Sequence, residues 1–247
     1  MILTRVVPGP AERIDLDDED AKARLSALYA LPRASWLRLN LISSVNGSAA
    51  GGDSTSDSLT NPADRALLGV IRGLADVVLV GAASVRAEGY RIPRSAILAI
   101  LTGSGDLSGH RFSGEVGPGR VLVLCPASAA DRARATLDGL PAEIVVLPER
   151  DGRIEPAAVT GALTGRGLLS VGCEGGPSLA GQLLDAGLVD ELCLSTGPVV
   201  SGTQLPLFGQ ARIRERRLDL RQLMVDDAST IYARWTVMPQ AESPAPG

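Results

Sequence analysis

The sequence predicts an α/β fold, with a mostly parallel central sheet, helices on both faces and a C-terminal antiparallel hairpin. Three observations lead there. Short apolar runs such as Val77-Val78-Leu79-Val80 read as strands buried on both faces. Helical patterns separate these runs, the order that builds parallel sheets. After Pro206 the pattern changes to two alternating segments around Asp226-Asp227, the signature of a terminal hairpin.

Taken in order, residues 1–34 read as a peripheral N-terminal segment holding one short helix, about Asp17 to Tyr29. Trp36 to Ile42 alternates as a strand does. Asn61-Pro62 opens a helix through Gly73, with proline suited to its first turn. Val77 to Val80 is a strand closed by Gly81, and Ile97 to Leu101 and Val121 to Cys125 are two more. A Gly/Ser-rich loop, Thr102 to Gly119, separates these last two. Pro126 to Leu137 reads as a helix, Glu143 to Leu147 as a strand and Pro156 to Leu163 as a helix. Leu168 to Val171 is a strand, Gly176 to Ala186 a helix and Glu191 to Ser195 a strand. Ile213 to Leu220 and Thr230 to Val237 form the hairpin. The main domain therefore spans 35–238, and the Pro/Ala/Ser-rich stretch 239–247 reads as a disordered tail.

Composition narrows the function. Hydrophobic residues make up 45% of the 247, enough for a sizeable core. The net charge of −4 lacks the basic excess of a nucleic-acid binder, so no nucleic-acid partner is expected. No run approaches a membrane span, and the N-terminus does not read as a signal peptide. Cys125, Cys173 and Cys193 lie far apart with no metal-ligand spacing, so no metal is expected and a reducing, cytoplasmic setting is. His110, the only histidine, lies in the Gly/Ser-rich loop, a poor place for a hydrolase triad.

Chemistry concentrates where strands end. Leu168 to Cys173 runs into Glu174-Gly175-Gly176-Pro177, and a helix follows at once. Glycines let backbone N–H groups approach an anion, and a helix N-terminus adds free donors. That predicts a phosphate site; a tight turn needing glycine only for its backbone angles is the alternative. The pattern is not G-x-G-x-x-G. Val80-Gly81-Ala82-Ala83-Ser84-Val85 is a second strand end of this kind, and strand C-termini in α/β sheets are where ligands bind. Ser44-Val45-Asn46-Gly47 ends another strand in a turn. Thr60 or Asn61 is suited to cap the following helix, with Asp64 in its first turn.

In order and spacing these segments resemble the pyrimidine reductases of riboflavin biosynthesis, which have a dihydrofolate-reductase-like fold. The family's Ser-Leu-Asp-Gly appears as Ser44-Val45-Asn46-Gly47, and its Thr-x-x-x-Asp as Thr60 and Asp64. Its Arg-x-x-x-Asp and Val-Gly-x-x-Thr-Val appear as Arg72, Asp76, Val80, Gly81, Ser84 and Val85. Its Glu-Gly-Gly turn, later Asp-Glu pair and Pro-x-x-x-Gly loop appear as Glu174 to Gly176, Asp190-Glu191 and Pro198 to Gly202. The resemblance implies NADPH contacts at Thr60, Asp64, Val80, Gly81, Ala82, Ala83, Ser84, Val85, Gly175, Gly176 and Leu179. It places Ser44, Asn46 and Glu174 on the substrate side, with Glu174 as substrate ligand or proton relay, and implies a small-molecule substrate and a homodimer. Arg86 is the nearest arginine for a 2′-phosphate. Three departures bear on the substrate: Asn46 replaces an aspartate, Ser48 stands where a basic residue often follows the glycine, and Arg86-Ala87-Glu88-Gly89-Tyr90 stands where Asp-Asp-Pro follows in the family. A dihydrofolate or other pterin reductase, or a catalytically silent NADPH-binding protein, are the alternatives. The zinc-deaminase signature found in many family members does not occur.

Overall fold

The computed structural model describes residues 1–113 and 116–239. From residue 240 on, the expected tail lies outside the described residues. The strands are β1 (Ile2–Val7), β2 (Glu12–Asp15), β3 (Trp36–Ser44), β4 (Val77–Gly81), β5 (Ile97–Leu101), β6 (Val121–Pro126) and β7 (Glu143–Leu147). They continue as β8 (Glu149–Arg150), β9 (Arg153–Ile154), β10 (Ser170–Cys173), β11 (Glu191–Gly197), β12 (Leu218–Asp226) and β13 (Ile231–Val237). The helices are α1 (Ala21–Leu28), α2 (Pro62–Gly73), α3 (Ala82–Ala87), α4 (Ala130–Thr136), α5 (Pro156–Thr164) and α6 (Pro177–Asp185).

Eleven strands form one sheet in the order β2-β1-β12-β13-β11-β3-β10-β4-β5-β6-β7, and β8 and β9 pair separately. From β11 to β7 every ladder is parallel; from β2 to β11 every ladder is antiparallel. The expected parallel sheet with an antiparallel C-terminal hairpin is therefore present. The N-terminal segment is joined to it: β1 pairs with β12, and Leu3 and Ile14 are fully buried. The helix expected from Asp17 starts at Ala21, and the hairpin's first strand starts at Leu218 rather than Ile213.

Strand alternation divides the core. In β4, Val77 and Leu79 pack with α5 and α6 residues such as Val159, Leu163 and Leu183. Val78 and Val80 pack with Val85 of α3 and Ala133 of α4. Gly172 of β10 lies in register between Arg38 of β3 and Val78 of β4, which puts the Arg38 side of β3 on this same face. Helices α1 and α2 cover the antiparallel half of the sheet with Leu25, Leu67 and Val70 around Met224 and Tyr232. Period-2 alternation thus gives the sheet two apolar faces, each covered by helices.

Several motif residues hold this frame. Asp76 accepts hydrogen bonds from the Leu169 and Ser170 N–H groups at 3.0 and 2.8 Å, tying the start of β10 beside β4. Asp190 accepts from Leu37 N–H at 2.8 Å and fixes β11 beside β3. Glu191 is 1% exposed and takes Arg38 Nε, Arg234 Nε and Trp36 Nε1 at 2.7, 2.7 and 3.0 Å. A buried carboxylate needs such partners to offset its lost hydration.

Candidate functional site

The C-terminal ends of β3, β10, β4 and β5 open into a cleft of about 1950 Å³. Pockets for one small ligand run to roughly 300–1,000 Å³, so this one has room for two. Its wall at β4 is Gly81, Ala82, Ala83 and Ser84; its wall at β10 is Glu174, Gly175, Gly176, Pro177, Ser178 and Leu179. The two walls touch: Gly81 N–H donates to the Gly175 carbonyl at 2.7 Å, and Glu174 N–H to the Leu79 carbonyl at 3.0 Å. The Gly175–Gly176 peptide is cis.

Glycine is required here for two different reasons. Gly175 has φ +90°, a region other L-residues avoid. A Cβ on Gly176 would lie 2.8 Å from Ser84 Oγ. Pro177 stands at the first helical position of α6, and the N–H groups of this helix start, whose residues Gly176 to Leu179 line the cleft, have no side-chain cap. This donor set fits a dinucleotide pyrophosphate.

Thr60 and Asp64 form the wall on the α2 side. Asn61 caps α2 by accepting from Asp64 N–H at 3.0 Å, which settles the choice between Thr60 and Asn61. Thr60 Oγ1 donates instead to Asp64 Oδ2 at 2.7 Å. Burial, chiefly, raises the Asp64 pKa above the ordinary aspartate value, against the lowering effect of the nearby Ser195 and Thr60 hydroxyls. Asn61 is itself gripped by the hairpin, donating to Asp226 Oδ2 at 2.7 Å and Thr230 Oγ1 at 2.9 Å.

Glu174 is not a free carboxylate. Arg72 Nε and Nη2 donate to its two oxygens at 2.6 and 2.7 Å, and Tyr90 Oη donates to Oε2. The Arg72 guanidinium also lies over the Tyr90 ring, 5.0 Å from its centre. Burial works against the Arg72 cation, but the Glu174 hydrogen bond and charge carry its pKa above the ordinary arginine value. Burial, then the Glu174 charge, pushes the Tyr90 hydroxyl well up.

The structure does not bring every expected residue to the cleft. Val80 and Val85 are fully buried in the core. They shape the wall from behind because alternation in β4 and the inner face of α3 turn them inward. Ser44 and Asn46 do not line the cleft either. Asn46 Nδ2 donates to the Ser201 carbonyl, its Oδ1 accepts from Ser201 N–H, both at 2.9 Å, and Ser44 Oγ donates to the same Oδ1. Both residues fasten one loop to another. Arg86 does line the cleft, beside Thr102 to Ser104 at the end of β5. Tyr90 was legible only as a departure from the family pattern, and nothing in the sequence marked the cleft-lining segment 54–57. Among the described residues no cluster of His, Cys, Asp or Glu could hold a metal ion.

An open, mostly parallel sheet with a glycine-walled cleft at its strand ends defines the class: an α/β protein whose candidate ligand site lies at the strand C-termini. Residues 35–232 match the family model of the RibD C-terminal domain, and the chain belongs to that family of riboflavin-biosynthesis reductases. Among solved structures, it resembles a pyrimidine reductase-like protein from Corynebacterium diphtheriae at 26% identity and TM-score 0.72, over 87% of this chain and 99% of that one. The fold also matches a Thermotoga maritima diaminohydroxyphosphoribosylaminopyrimidine deaminase/5-amino-6-(5-phosphoribosylamino)uracil reductase at 19% identity and TM-score 0.65, over 89% of this chain and 62% of that one. It matches the Saccharomyces cerevisiae riboflavin biosynthesis reductase Rib7 at 14% identity and TM-score 0.65, over 89% and 100%. No curated protein sequence matches the chain.

Proposed function

We propose that the protein is an NADPH-dependent reductase acting on a C=N bond of a heterocyclic or ribosylamine substrate, similar to 5-amino-6-(5-phosphoribosylamino)uracil reductase. The observation that carries this reading is the double wall of the cleft. Gly81 to Ser84 and Gly175 to Leu179 close on each other through the 2.7 Å Gly81–Gly175 hydrogen bond, and both segments line the cleft. The uncapped N–H groups at the start of α6 would hold the cofactor's pyrophosphate. Thr60 and Asp64 would border its reactive end, and Arg86, beside the β5 end, would favour a 2′-phosphate. When bound, the reduced nicotinamide supplies a hydride; the chain itself binds, orients and excludes water.

Glu174 would position the substrate rather than relay a proton, because Arg72 and Tyr90 already occupy its oxygens. The second reading, a dihydrofolate or other pterin reductase, draws on Ser44 and Asn46. Ser44 is engaged with Asn46, and Asn46 with Ser201, so the two residues expected to recognise the pyrimidine ring are already occupied. A silent NADPH-binding protein is the third. No helix among the described residues is long and apolar enough to cross a membrane. A cytoplasmic homodimer is proposed on family grounds. Since β12 and β13 have both edges paired within the chain, a dimer contact there would be made by a face.

NADPH titration by fluorescence, followed by cofactor oxidation with a panel of pyrimidine and pterin substrates, tests the three. Binding with oxidation by a pyrimidine supports the first reading; oxidation by pterins alone supports the second. Binding without oxidation supports the third, and no binding overturns all of them.

A further inference from the structure

Reduction of a C=N bond needs a proton as well as a hydride, and the cleft offers several carboxylates. Asp57 and Glu155 are exposed, and Asp185 is paired with Arg214 at the far end of α6. Glu88 accepts from Ser56 N–H at 3.2 Å, and Glu174 is saturated by Arg72 and Tyr90. Asp64 lines the cleft from the first turn of α2, is half-buried there and held by a neighbouring hydroxyl, and, like Glu88 and Glu155, has no ion-pair partner within salt-bridge distance among the described residues.

We propose that Asp64 is the acid that delivers the proton to the substrate nitrogen. This rests on the reductase reading above. The helix gives it a suitable place, since Asp64, Leu68 and Arg72 follow one another at four-residue spacing along the cleft face of α2. Asp64 and Arg72 are eight residues apart, about 12 Å along the axis at the α-helical rise. Arg72 holds Glu174 at one end of this face, and Asp64 stands at the other. A substrate oriented at Glu174 can thus present the nitrogen of its C=N bond to Asp64.

The surroundings of Asp64 are mixed. Thr60 Oγ1 donates to Oδ2 at 2.7 Å, which fixes the carboxyl. The nearby Ser195 hydroxyl of β11 and the neighbouring Arg65 cation both favour its charged form. Arg65 itself is 63% exposed and screened by water. Asp226 opposes the charged form, and Tyr232 of β13 lies within electrostatic range. Burial outweighs the hydroxyls, so Asp64 keeps its proton to a higher pH than an exposed aspartate. A proton donor at neutral pH needs this upward displacement.

The step balances. A new C–H bond forms at the imine carbon with the hydride's two electrons. The C=N π pair moves to nitrogen, which bonds the Asp64 proton as the Asp64 O–H bond breaks. Water in the cleft then returns a proton to the carboxylate. Per turnover one proton leaves solution, the C=N bond becomes CH–NH, and the reduced cofactor is oxidised.

The test compares wild type with Asp64→Asn, which keeps the acceptor for Thr60, and Asp64→Glu, which keeps the acid. Infrared difference titration of the full chain, with NADPH and without substrate, reads the carboxyl directly. Turnover is measured with 5-amino-6-(5-phosphoribosylamino)uracil across pH. Expected are a protonated-carboxyl band that persists above the ordinary aspartate range and is missing in Asp64→Asn. A kcat loss of about 100-fold or more, larger than any loss of NADPH affinity, and partial rescue by Asp64→Glu complete the expectation. A carboxyl that titrates at or below the ordinary aspartate value overturns the proposal, whether or not this substrate is turned over. So does full kcat in Asp64→Asn, or a loss confined to NADPH affinity. Failure of the wild type to bind NADPH strikes the reductase reading instead.

Discussion

Arg72 and Glu174, 102 residues apart in sequence, meet in a two-pronged ion pair that joins the end of α2 to the turn after β10. The side chains are 18% and 8% exposed, so each charge depends on the other. Arg72→Ala leaves the Glu174 carboxylate with only Tyr90. A loss of about 3 kcal/mol is expected, read from the urea midpoint. Arg72→Leu combined with Glu174→Leu removes both charges and should cost less than Arg72→Ala alone. Equal or greater loss in the double variant would show that the pair stabilises through more than mutual compensation.

Gly175→Ala tests the cofactor wall. The native φ of +90° strains any residue with a Cβ, here by about 1–2 kcal/mol. A Cβ would also sit 3.4 Å from Leu41 Cδ2, so the turn has little room to relax away from Gly81. Stability should fall by that amount, and NADPH affinity by about tenfold if the turn moves enough to cost one hydrogen bond. Thermal melts with and without NADPH separate the two effects, since the stabilisation by bound ligand grows with the logarithm of its concentration over Kd. Unchanged NADPH affinity would remove this turn from the cofactor site.

Much of this frame was legible in the sequence because its signals are local. The apolar runs of β4, β5 and β6 announce buried strands, and Asn61-Pro62 announces the start of α2 to the residue. What escaped depends on distant partners. Strand β1 pairs with β2 and with β12, the latter more than 200 residues away in sequence, and charged Arg5, Glu12 and Arg13 dilute the alternation of β1 and β2. The site divides the same way. Glycine turns are visible because backbone geometry demands that residue type. Sequence could not show that Asn46 bonds to Ser201, or that Arg72 and Tyr90 occupy Glu174, because side-chain partners across a cleft leave no local mark.

Asn61 ties the hairpin to the cleft. Its Oδ1 caps α2 through Asp64 N–H, while its Nδ2 donates to Asp226 and Thr230. Asn61→Ala loses both, and about 2 kcal/mol is expected, at the upper end for an N-cap. Asn61→Asp keeps a capping oxygen but sets a second carboxylate against Asp226, 2.7 Å from where Nδ2 stands. It should therefore be less stable than Asn61→Ser at neutral pH. Acid should narrow the gap as the carboxylates protonate. A pH-independent gap between these two variants would argue against carboxylate repulsion.

Two buried carboxyls should give the stability profile opposite slopes. Burial alone would raise the Glu191 pKa, but the Arg234 hydrogen bond and the Arg38 and Arg234 charges hold it below the unfolded 4.5. The native state then binds this proton less readily than the unfolded chain. Glu191 stabilises fully above pH 4.5, and its contribution is lost as pH falls through the lowered value. Asp64 runs the other way, because burial holds its pKa above the unfolded 3.8. The native state binds that proton more readily, so its contribution is present below pH 3.8 and is lost as pH rises through the raised value. Asp64→Asn removes this loss. The difference in melting temperature between Asp64→Asn and wild type should grow in favour of the variant as pH rises from 3.8, then level off. A difference that does not change with pH would mean that Asp64 titrates alike in folded and unfolded chains. That result would also take away the raised proton affinity on which its role as an acid depends.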